Sequence, residues 1–223
     1  MLQRWRKLTF LHWPYHPDVI RPLIPKGLEL DTFDGQAWVG LVPFLVTGLR
    51  PPRLPAAPWI SEFPETNVRT YVRGPDGNRG VWFFTLEADR LFAVIAARAI
   101  YSLPYRWAHM TVEDLGNRIV YQSVRQKSFG RGRTDIIIEP GAPIEKNQLI
   151  NFVTAQFRLY AARGRSILCA PIEHAPWPLQ SARVIRLDED LILNSGVPSP
   201  LGEPMVHYSR DLSVKIGKIE KLD

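Results

Sequence analysis

Residues 63–73 read Phe63-Pro64-Glu65-Thr66-Asn67-Val68-Arg69-Thr70-Tyr71-Val72-Arg73, and this alternation predicts a β-strand with two chemically different faces. Side chains two positions apart share a face of a strand. One face would carry the β-branched residues Thr66, Val68, Thr70 and Val72. The other would carry the hydrogen-bonding residues Glu65, Asn67, Arg69, Tyr71 and Arg73. This polar row can build a site, or it can face water as the outer face of an antiparallel sheet commonly does.

The rest of the chain also predicts mainly antiparallel β-structure. Asp34-Gly35 is typical of a tight turn and predicts a hairpin between residues 28–33 and 36–46. A Gly-rich turn at 74–80 would lead the 63–73 strand into a partner at 81–86. Further strands are predicted at 118–126, 134–139, 166–173, 182–187 and 213–219.

Two helices interrupt this pattern. The Ala-rich run Leu91–Tyr101 predicts a helix that stops before Pro104, because alanine is the best helix former and proline cannot continue a helix. Arg98 and Tyr101 would share a face of it. Apolar residues spaced between Leu149 and Phe157 predict a second, core-packed helix. We therefore predict an α+β fold, mainly antiparallel sheet with a few helices, in one domain over residues 1–223.

Composition limits the classes of function. The 223 residues are 45% hydrophobic and 22% charged, which fits a folded domain with a substantial core. The formal net charge of +6 favours acidic small molecules. The basic residues are dispersed and match no nucleic-acid module, so we expect no nucleic-acid partner. A homo-oligomer is compatible with the sequence.

Further patterns bear on location and cofactors. The lone Cys169 rules out an internal disulfide and is compatible with a reducing compartment. The chain has no signal peptide pattern and no apolar run of about 18–20 residues, so we expect a soluble cytoplasmic protein with no membrane partner. The five histidines are scattered and no Gly-rich phosphate loop occurs, so we expect no metal and no cofactor.

A proline-rich segment at residues 50–58 directly precedes the polar strand. Proline fixes the backbone and removes hydrogen-bond donors. The segment would be either a stiff cover over a site or a surface connection without a role. His12 and His174 both lie among aromatic residues, where each would serve as a proton shuttle or as a hydrogen-bonded core histidine.

Several blocks together resemble a known family. They are Phe10-Leu11-His12-Trp13-Pro14-Tyr15, Asp34-Gly35-Gln36-Ala37-Trp38-Val39-Gly40, Phe63-Pro64-Glu65-Thr66-Asn67-Val68-Arg69-Thr70-Tyr71-Val72, Ala97-Arg98-Ala99-Ile100-Tyr101-Ser102-Leu103-Pro104-Tyr105 and Glu173-His174-Ala175-Pro176-Trp177-Pro178-Leu179. The chain thereby resembles the YqjF-like family (DUF2071), which is grouped with acetoacetate decarboxylase-like proteins. The resemblance implies a curved antiparallel sheet or barrel around a central pocket.

The resemblance also implies a comparison of mechanism. In acetoacetate decarboxylases, a lysine in a Gly-Tyr-Pro-Lys-Lys type segment forms an imine with the substrate ketone. The similar segment here is Ser102-Leu103-Pro104-Tyr105-Arg106, so Tyr105 and Arg106 stand where the lysines are expected. Neither side chain forms an imine. Whether Lys127 or another lysine reaches the pocket from elsewhere stays open.

Candidate site residues follow from the polar row and this resemblance, which matches Glu65 to an acidic residue of the decarboxylase-like enzymes. We predict that Glu65, Arg69 and Tyr105 are catalytic, with Glu65 moving a proton and arginine gripping an oxyanion. The predicted substrate-binding residues are Asn67, Tyr71, Arg98, Tyr101, Arg106, His12 and Trp38.

Three hypotheses stay open at this stage. The first is an enzyme that acts on a small carbonyl or carboxylate compound by acid-base or electrostatic chemistry, such as a lyase, isomerase or hydratase without a Schiff-base lysine. The second is a non-catalytic protein that binds such a molecule. In the third, Glu65, Arg69 and Arg98 form a buried salt-bridge network and bind nothing.

Overall fold

A computed structural model describes residues 1–57 and 61–222. Within these ranges the strands are β1 (Leu2–Tyr15), β2 (Glu29–Leu30), β3 (Ala37–Arg50), β4 (Phe63–Arg73), β5 (Arg79–Ala88), β6 (Tyr105–Asp114), β7 (Ile119–Arg125), β8 (Arg133–Pro143), β9 (Arg158–Arg163), β10 (Ser166–His174), β11 (Leu179–Glu189), β12 (Met205–Ile216) and β13 (Glu220–Leu222). The helices are α1 (Pro17–Ile20), α2 (Leu91–Tyr101), α3 (Gln148–Thr154) and α4 (Leu191–Asn194).

All of these strands belong to one sheet that closes into a ring. The order β4-β5-β6-β7-β8-β11-β12-β1-β3 returns to β4. Pairing is antiparallel except where β5 lies parallel to β6 and β9. The predicted α+β fold with a curved, mainly antiparallel sheet is confirmed. The ring is not a simple barrel, because β4, β5, β10 and β12 each pair with three strands and the sheet branches there.

Strand β4 lies between two hydrophobic cores. Tyr71 packs in a core with Phe44, Phe83 and Trp177, while Val68 packs in a second core with Leu41 and other apolar residues. Burial on both sides explains why Glu65, Thr66, Asn67, Val68 and Arg69 are all buried. The polar row therefore does not face water along its central part; of the row, Arg73 alone is exposed.

The predicted hairpins have different outcomes. Strands β4 and β5 pair antiparallel around the 74–78 turn, as predicted. The Asp34-Gly35 turn also forms, with both residues at positive φ. Its arms, however, meet only in a bridge between Phe33 and Gln36. The predicted pairing of 28–33 with 36–46 is wrong, because β2 pairs with β4 and β3 pairs with β1 and β4.

The helices follow the predictions more closely. Helix α2 covers Leu91–Tyr101, the predicted run, and ends at Ser102 in the left-handed conformation. Helix α3 ends at Thr154, so Gln156 and Phe157 lie beyond the helix that was predicted to contain them. Neither these helices nor the shorter ones in the described ranges combine the length and apolar character needed to cross a membrane.

Candidate functional site

The polar face of β4 borders a small enclosed space, here called the inner cavity. Its polar lining includes Glu65, Asn67 and Arg69 of β4, Tyr105 of β6, and Gln156 from the chain after α3. Its volume is about 60 Å³. Because one water needs roughly 10–15 Å³, this space holds on the order of four to six waters, or a ligand with as many heavy atoms.

Several polar atoms around the inner cavity have no partner within the described chain. They are Asn67 Oδ1, Arg69 Nε and Gln156 Oε1. All three side chains are buried. Buried polar atoms are normally hydrogen-bonded, and leaving one unpaired costs about 1–3 kcal/mol. Three such atoms on one cavity indicate that its natural content is polar.

Arg69 is a buried cation without a carboxylate partner among the described residues. It is 8% exposed. Its Nη2 atom donates a 3.5 Å hydrogen bond to the Val153 carbonyl, and its guanidinium lies over the rings of Phe10 and Tyr71 at 5.4 and 5.8 Å. A guanidinium stays charged in proteins, so an anion in the inner cavity would complete its environment.

Glu65 lies two places before Arg69 in the polar row, and the two side chains do not pair. Four steps along the strand, at about 3.3 Å each, place their Cα atoms about 13 Å apart. The Tyr105 hydroxyl donates a 2.8 Å hydrogen bond to Glu65 Oε2. Burial raises the pKa of Glu65 to about 7, although hydrogen bonding from Tyr105 and Asn67 acts in the opposite direction. Glu65 can therefore exchange a proton near neutral pH.

A larger apolar space, here called the outer cavity, lies on the other side of Glu65. Its volume is about 380 Å³. Helix α2 lines it with Ala93, Ala96, Ala97 and Ile100, and Pro51, Pro55 and Ala57 contribute from the proline-rich segment at residues 50–58. Pro58, the last residue of that segment, lies outside the described residues. Six residues line both cavities, namely Gln3, Glu65, Leu103, Tyr105, Leu159 and Ile216.

Tyr71 and His12 form a buried pair just beyond Arg69. His12 Nε2 and the Tyr71 hydroxyl are 2.6 Å apart, and that hydroxyl also donates to the Val153 carbonyl at 2.6 Å. Burial holds the pKa of His12 well below its usual range, so His12 is neutral. Gly40 makes room for this pair, because a Cβ there would lie 2.8 Å from His12 Nε2. Neither Tyr71 nor His12 lines the inner or the outer cavity.

Four other predicted site residues lie outside the lining of the inner cavity. Tyr101 lines the outer cavity, and its hydroxyl donates to the Gly217 carbonyl at 3.2 Å. Arg98 is exposed and donates to the Tyr105 carbonyl at 2.9 Å, because α2 turns it away from the cavities. Arg106 faces away from Tyr105 on β6 and donates to the Phe129 carbonyl. Trp38 is buried in the core that contains Tyr71.

These positions test two ideas from the sequence, namely the buried salt-bridge network and a lysine that reaches the pocket. None of the ion pairs in residues 1–57 and 61–222 joins Glu65 to Arg69 or Arg98, so the proposed salt-bridge network is not formed. Among the described lining residues of the inner and the outer cavity there is no lysine, and Lys127 lines neither. Lys127 is exposed in a short turn after β7.

Sequence reasoning missed part of the inner cavity. Gln156 falls within residues 149–157, which were predicted as one core-packed helix, yet it lies just past α3, where Nε2 donates to the Phe152 carbonyl at 2.6 Å. A polar residue within this otherwise apolar pattern was the available signal. Thr154 and Trp177 also line the cavity, joined by a 3.0 Å hydrogen bond from Trp177 Nε1 to the Thr154 carbonyl. His174, weighed as a shuttle, lies at the cavity edge and is half-buried.

Solved structures of other enzymes have a similar fold. The enduracididine biosynthesis enzyme MppR, complexed with pyruvate, aligns with a TM-score of 0.70 and 14% identity, covering 100% of this chain and 90% of that chain. The acetoacetate decarboxylase from Legionella pneumophila subsp. pneumophila str. Philadelphia 1 aligns with a TM-score of 0.63 and 15% identity. The alignment covers 99% of this chain and 87% of that chain. At these identities the likeness shows the fold alone.

Sequence comparison gives a more specific result. The chain is 36% identical over 223 residues to the uncharacterized protein YqjF of Bacillus subtilis (strain 168), which covers 99% of this chain and 92% of that protein. Residues 2–213 match the DUF2071 family, described as an uncharacterized conserved protein. The chain therefore belongs to the DUF2071, or YqjF-like, family, and it has an acetoacetate decarboxylase-like fold.

Proposed function

We propose that this protein binds a small oxo carboxylate in the inner cavity and transfers a proton at the carbon next to its carbonyl. The observation that carries the proposal is Arg69, a buried cation that lines the cavity and has no acidic partner in the described chain. Leaving such a charge unpaired costs several kcal/mol. A ligand carboxylate would provide a bidentate partner of the kind that guanidinium groups prefer.

Glu65 would be the proton-transfer group. As a carboxylate it would take the proton from the carbon next to the carbonyl, and the C–H electron pair would form the C=C bond of an enolate, with the charge moving to the carbonyl oxygen. Its pKa of about 7 suits this exchange at neutral pH. The Tyr105 hydroxyl would hold the carboxylate in position, and the protonated Glu65, after exchange with solvent, would return a proton to the same carbon.

Two further points support this chemistry. The absence of a lysine from the linings of the inner and outer cavities argues against an imine mechanism. A protein of similar fold, MppR, has been solved in complex with pyruvate, which has six heavy atoms and so matches the size of the inner cavity.

Deuterium exchange of the pyruvate methyl group tests the proposal. In D₂O near pH 7, the wild-type protein should speed the loss of the methyl proton NMR signal above the protein-free rate. Glu65→Gln should abolish this acceleration and still bind pyruvate, because it keeps the shape and loses the base. Glu62→Gln, which changes an exposed glutamate three residues earlier, is the matched control and should behave like wild type.

Each alternative result has a distinct meaning. Binding of pyruvate without exchange by the wild-type protein would overturn the proton transfer and leave a non-catalytic binding protein. Exchange by Glu65→Gln at the wild-type rate would remove Glu65 from its role. If the wild-type protein neither binds pyruvate nor exchanges its protons, the whole proposal is wrong.

A further inference from the structure

The outer cavity adds a feature that a three-carbon acid would not use. Its volume of about 380 Å³ lies within the range of roughly 300–1,000 Å³ typical of ligand sites. Its lining is dominated by aliphatic and aromatic side chains, among them Leu49, Phe63, Ile100 and Ile216. A small oxo acid held at Arg69 would leave this apolar surface in contact with water.

The two cavities follow one another along β4. Phe63 lines the outer cavity alone, Glu65 lines both, and Asn67 and Arg69 line the inner cavity alone. These four side chains lie on one face of the strand, with successive steps of about 6.6 Å. The site therefore runs from an apolar end to a cationic end over roughly 20 Å, with the proton-transfer group between them.

Helix α2 keeps the outer cavity open through small side chains. Ala93, Ala96, Ala97 and Ile100 have the spacing of one helical face, and all four line the cavity. Larger residues at the alanine positions would fill the space. Two bulkier residues of the helix, Phe92 and Ile100, also line the cavity, but they are 64% and 56% exposed, so the three alanines form the small part of this face.

From this arrangement we infer that the substrate is an oxo acid with an unbranched apolar chain. The carboxylate binds Arg69, the carbon next to the carbonyl lies near Glu65, and the chain extends past Tyr105 into the outer cavity under α2. This inference rests on the proposed function, because it uses the same carboxylate site. Burial of each added methylene should tighten binding about fourfold until the chain fills the outer cavity.

Binding of a series of 2-oxo acids from pyruvate to 2-oxooctanoate tests the inference by calorimetry. For the wild-type protein, the dissociation constant should fall about fourfold per methylene. Ala97→Phe should fill the outer cavity, abolish this chain-length dependence and leave pyruvate affinity unchanged. Ala99→Phe places the same side chain on the exposed side of α2 and should keep the wild-type series.

The outcomes separate this inference from the function on which it rests. Equal affinity for pyruvate and 2-oxooctanoate in the wild-type protein would overturn the apolar chain and leave the carboxylate site intact. The same would follow if Ala97→Phe kept the chain-length dependence of Ala99→Phe while both remained folded by circular dichroism. Failure of every acid in the series to bind would overturn both proposals together.

Discussion

Two buried arginines in this molecule have opposite environments. Arg125 and Arg69 are 7% and 8% exposed. Arg125 donates to both oxygens of Glu87, from Nε at 2.9 Å and from Nη2 at 2.7 Å, and Nη1 donates to the Arg131 carbonyl at 2.6 Å. Arg69 donates a 3.5 Å hydrogen bond to a carbonyl and interacts with the Tyr71 hydroxyl, and its Nε has no partner in the described chain.

The difference separates a charge that is paired within the protein from one that, in our proposal, binds a ligand. The Arg125–Glu87 pair is complete, since Thr85 also donates to Glu87 at 2.8 Å, and it leaves no site for another anion. Arg69 faces a cavity lined by other polar atoms without partners. Burial alone therefore does not distinguish the two arginines; the completeness of their hydrogen bonds does.

The largest effect should come from breaking the complete pair. Arg125→Met leaves the Glu87 carboxylate buried without its partner, and removing one member of a buried pair costs about 3–5 kcal/mol. Urea denaturation should show this loss in the free energy of unfolding. The double variant Arg125→Met with Glu87→Leu should recover much of it, and a single variant as stable as wild type would show that the pair is not structural.

Glu65 should make folding stability depend on pH. Its pKa is raised from 4.5 to about 7, so the folded state holds this proton more tightly than the unfolded chain does. Stability from this group is therefore present at low pH and is lost as the pH rises from 4.5 through about 7. The pKa difference corresponds to a loss of about 3 kcal/mol.

Comparison with Glu65→Gln isolates this contribution, because titration of the buried histidines is common to both proteins. Between pH 4.5 and 8, wild type should lose about 3 kcal/mol of unfolding free energy relative to the variant. Parallel pH profiles from urea denaturation would show that Glu65 titrates normally.

A smaller effect should follow from crowding the surroundings of Arg69. Gly40 is paired in register with both His12 and Arg69, and a Cβ there would lie 2.8 Å from His12 Nε2. Gly40→Ala should lower the free energy of unfolding by about 1–3 kcal/mol, as overpacking does. Adding His12→Ala removes the contact, and the penalty of the alanine at position 40 should then shrink. If the alanine at position 40 costs the same stability without His12, the strain does not come from the contact with His12.

Local patterns predicted the parts of the fold that local forces determine. The alanine-rich run before Pro104 predicted the extent of α2. The alternation in 63–73 predicted that Glu65, Asn67 and Arg69 share one face of β4, and all three line the inner cavity. The Asp34-Gly35 turn also formed where it was predicted. Its strand pairing was wrong because residues 29–30 pair with β4, which comes much later in the chain.

The site depends on contacts between distant segments, which the sequence does not encode in a readable pattern. Gln156 reaches the inner cavity because α3 ends two residues earlier, and no spacing rule predicts which way such a residue turns. The pairing of Glu87 with Arg125 spans 38 residues. Arg98 and Arg106 were plausible anion ligands by charge, but the direction of α2 and β6 takes them outside both cavities.

The most direct measurement is urea denaturation of wild type and Arg69→Met, each with and without pyruvate near pH 7. Without ligand, Arg69→Met should be at least as stable as wild type, by up to about 2 kcal/mol, because the substitution removes an unpaired buried charge. Pyruvate should stabilise wild type in proportion to its binding and leave the variant unchanged. A variant that is strongly destabilised, or that pyruvate stabilises as much as wild type, would contradict the assignment of Arg69 to the ligand.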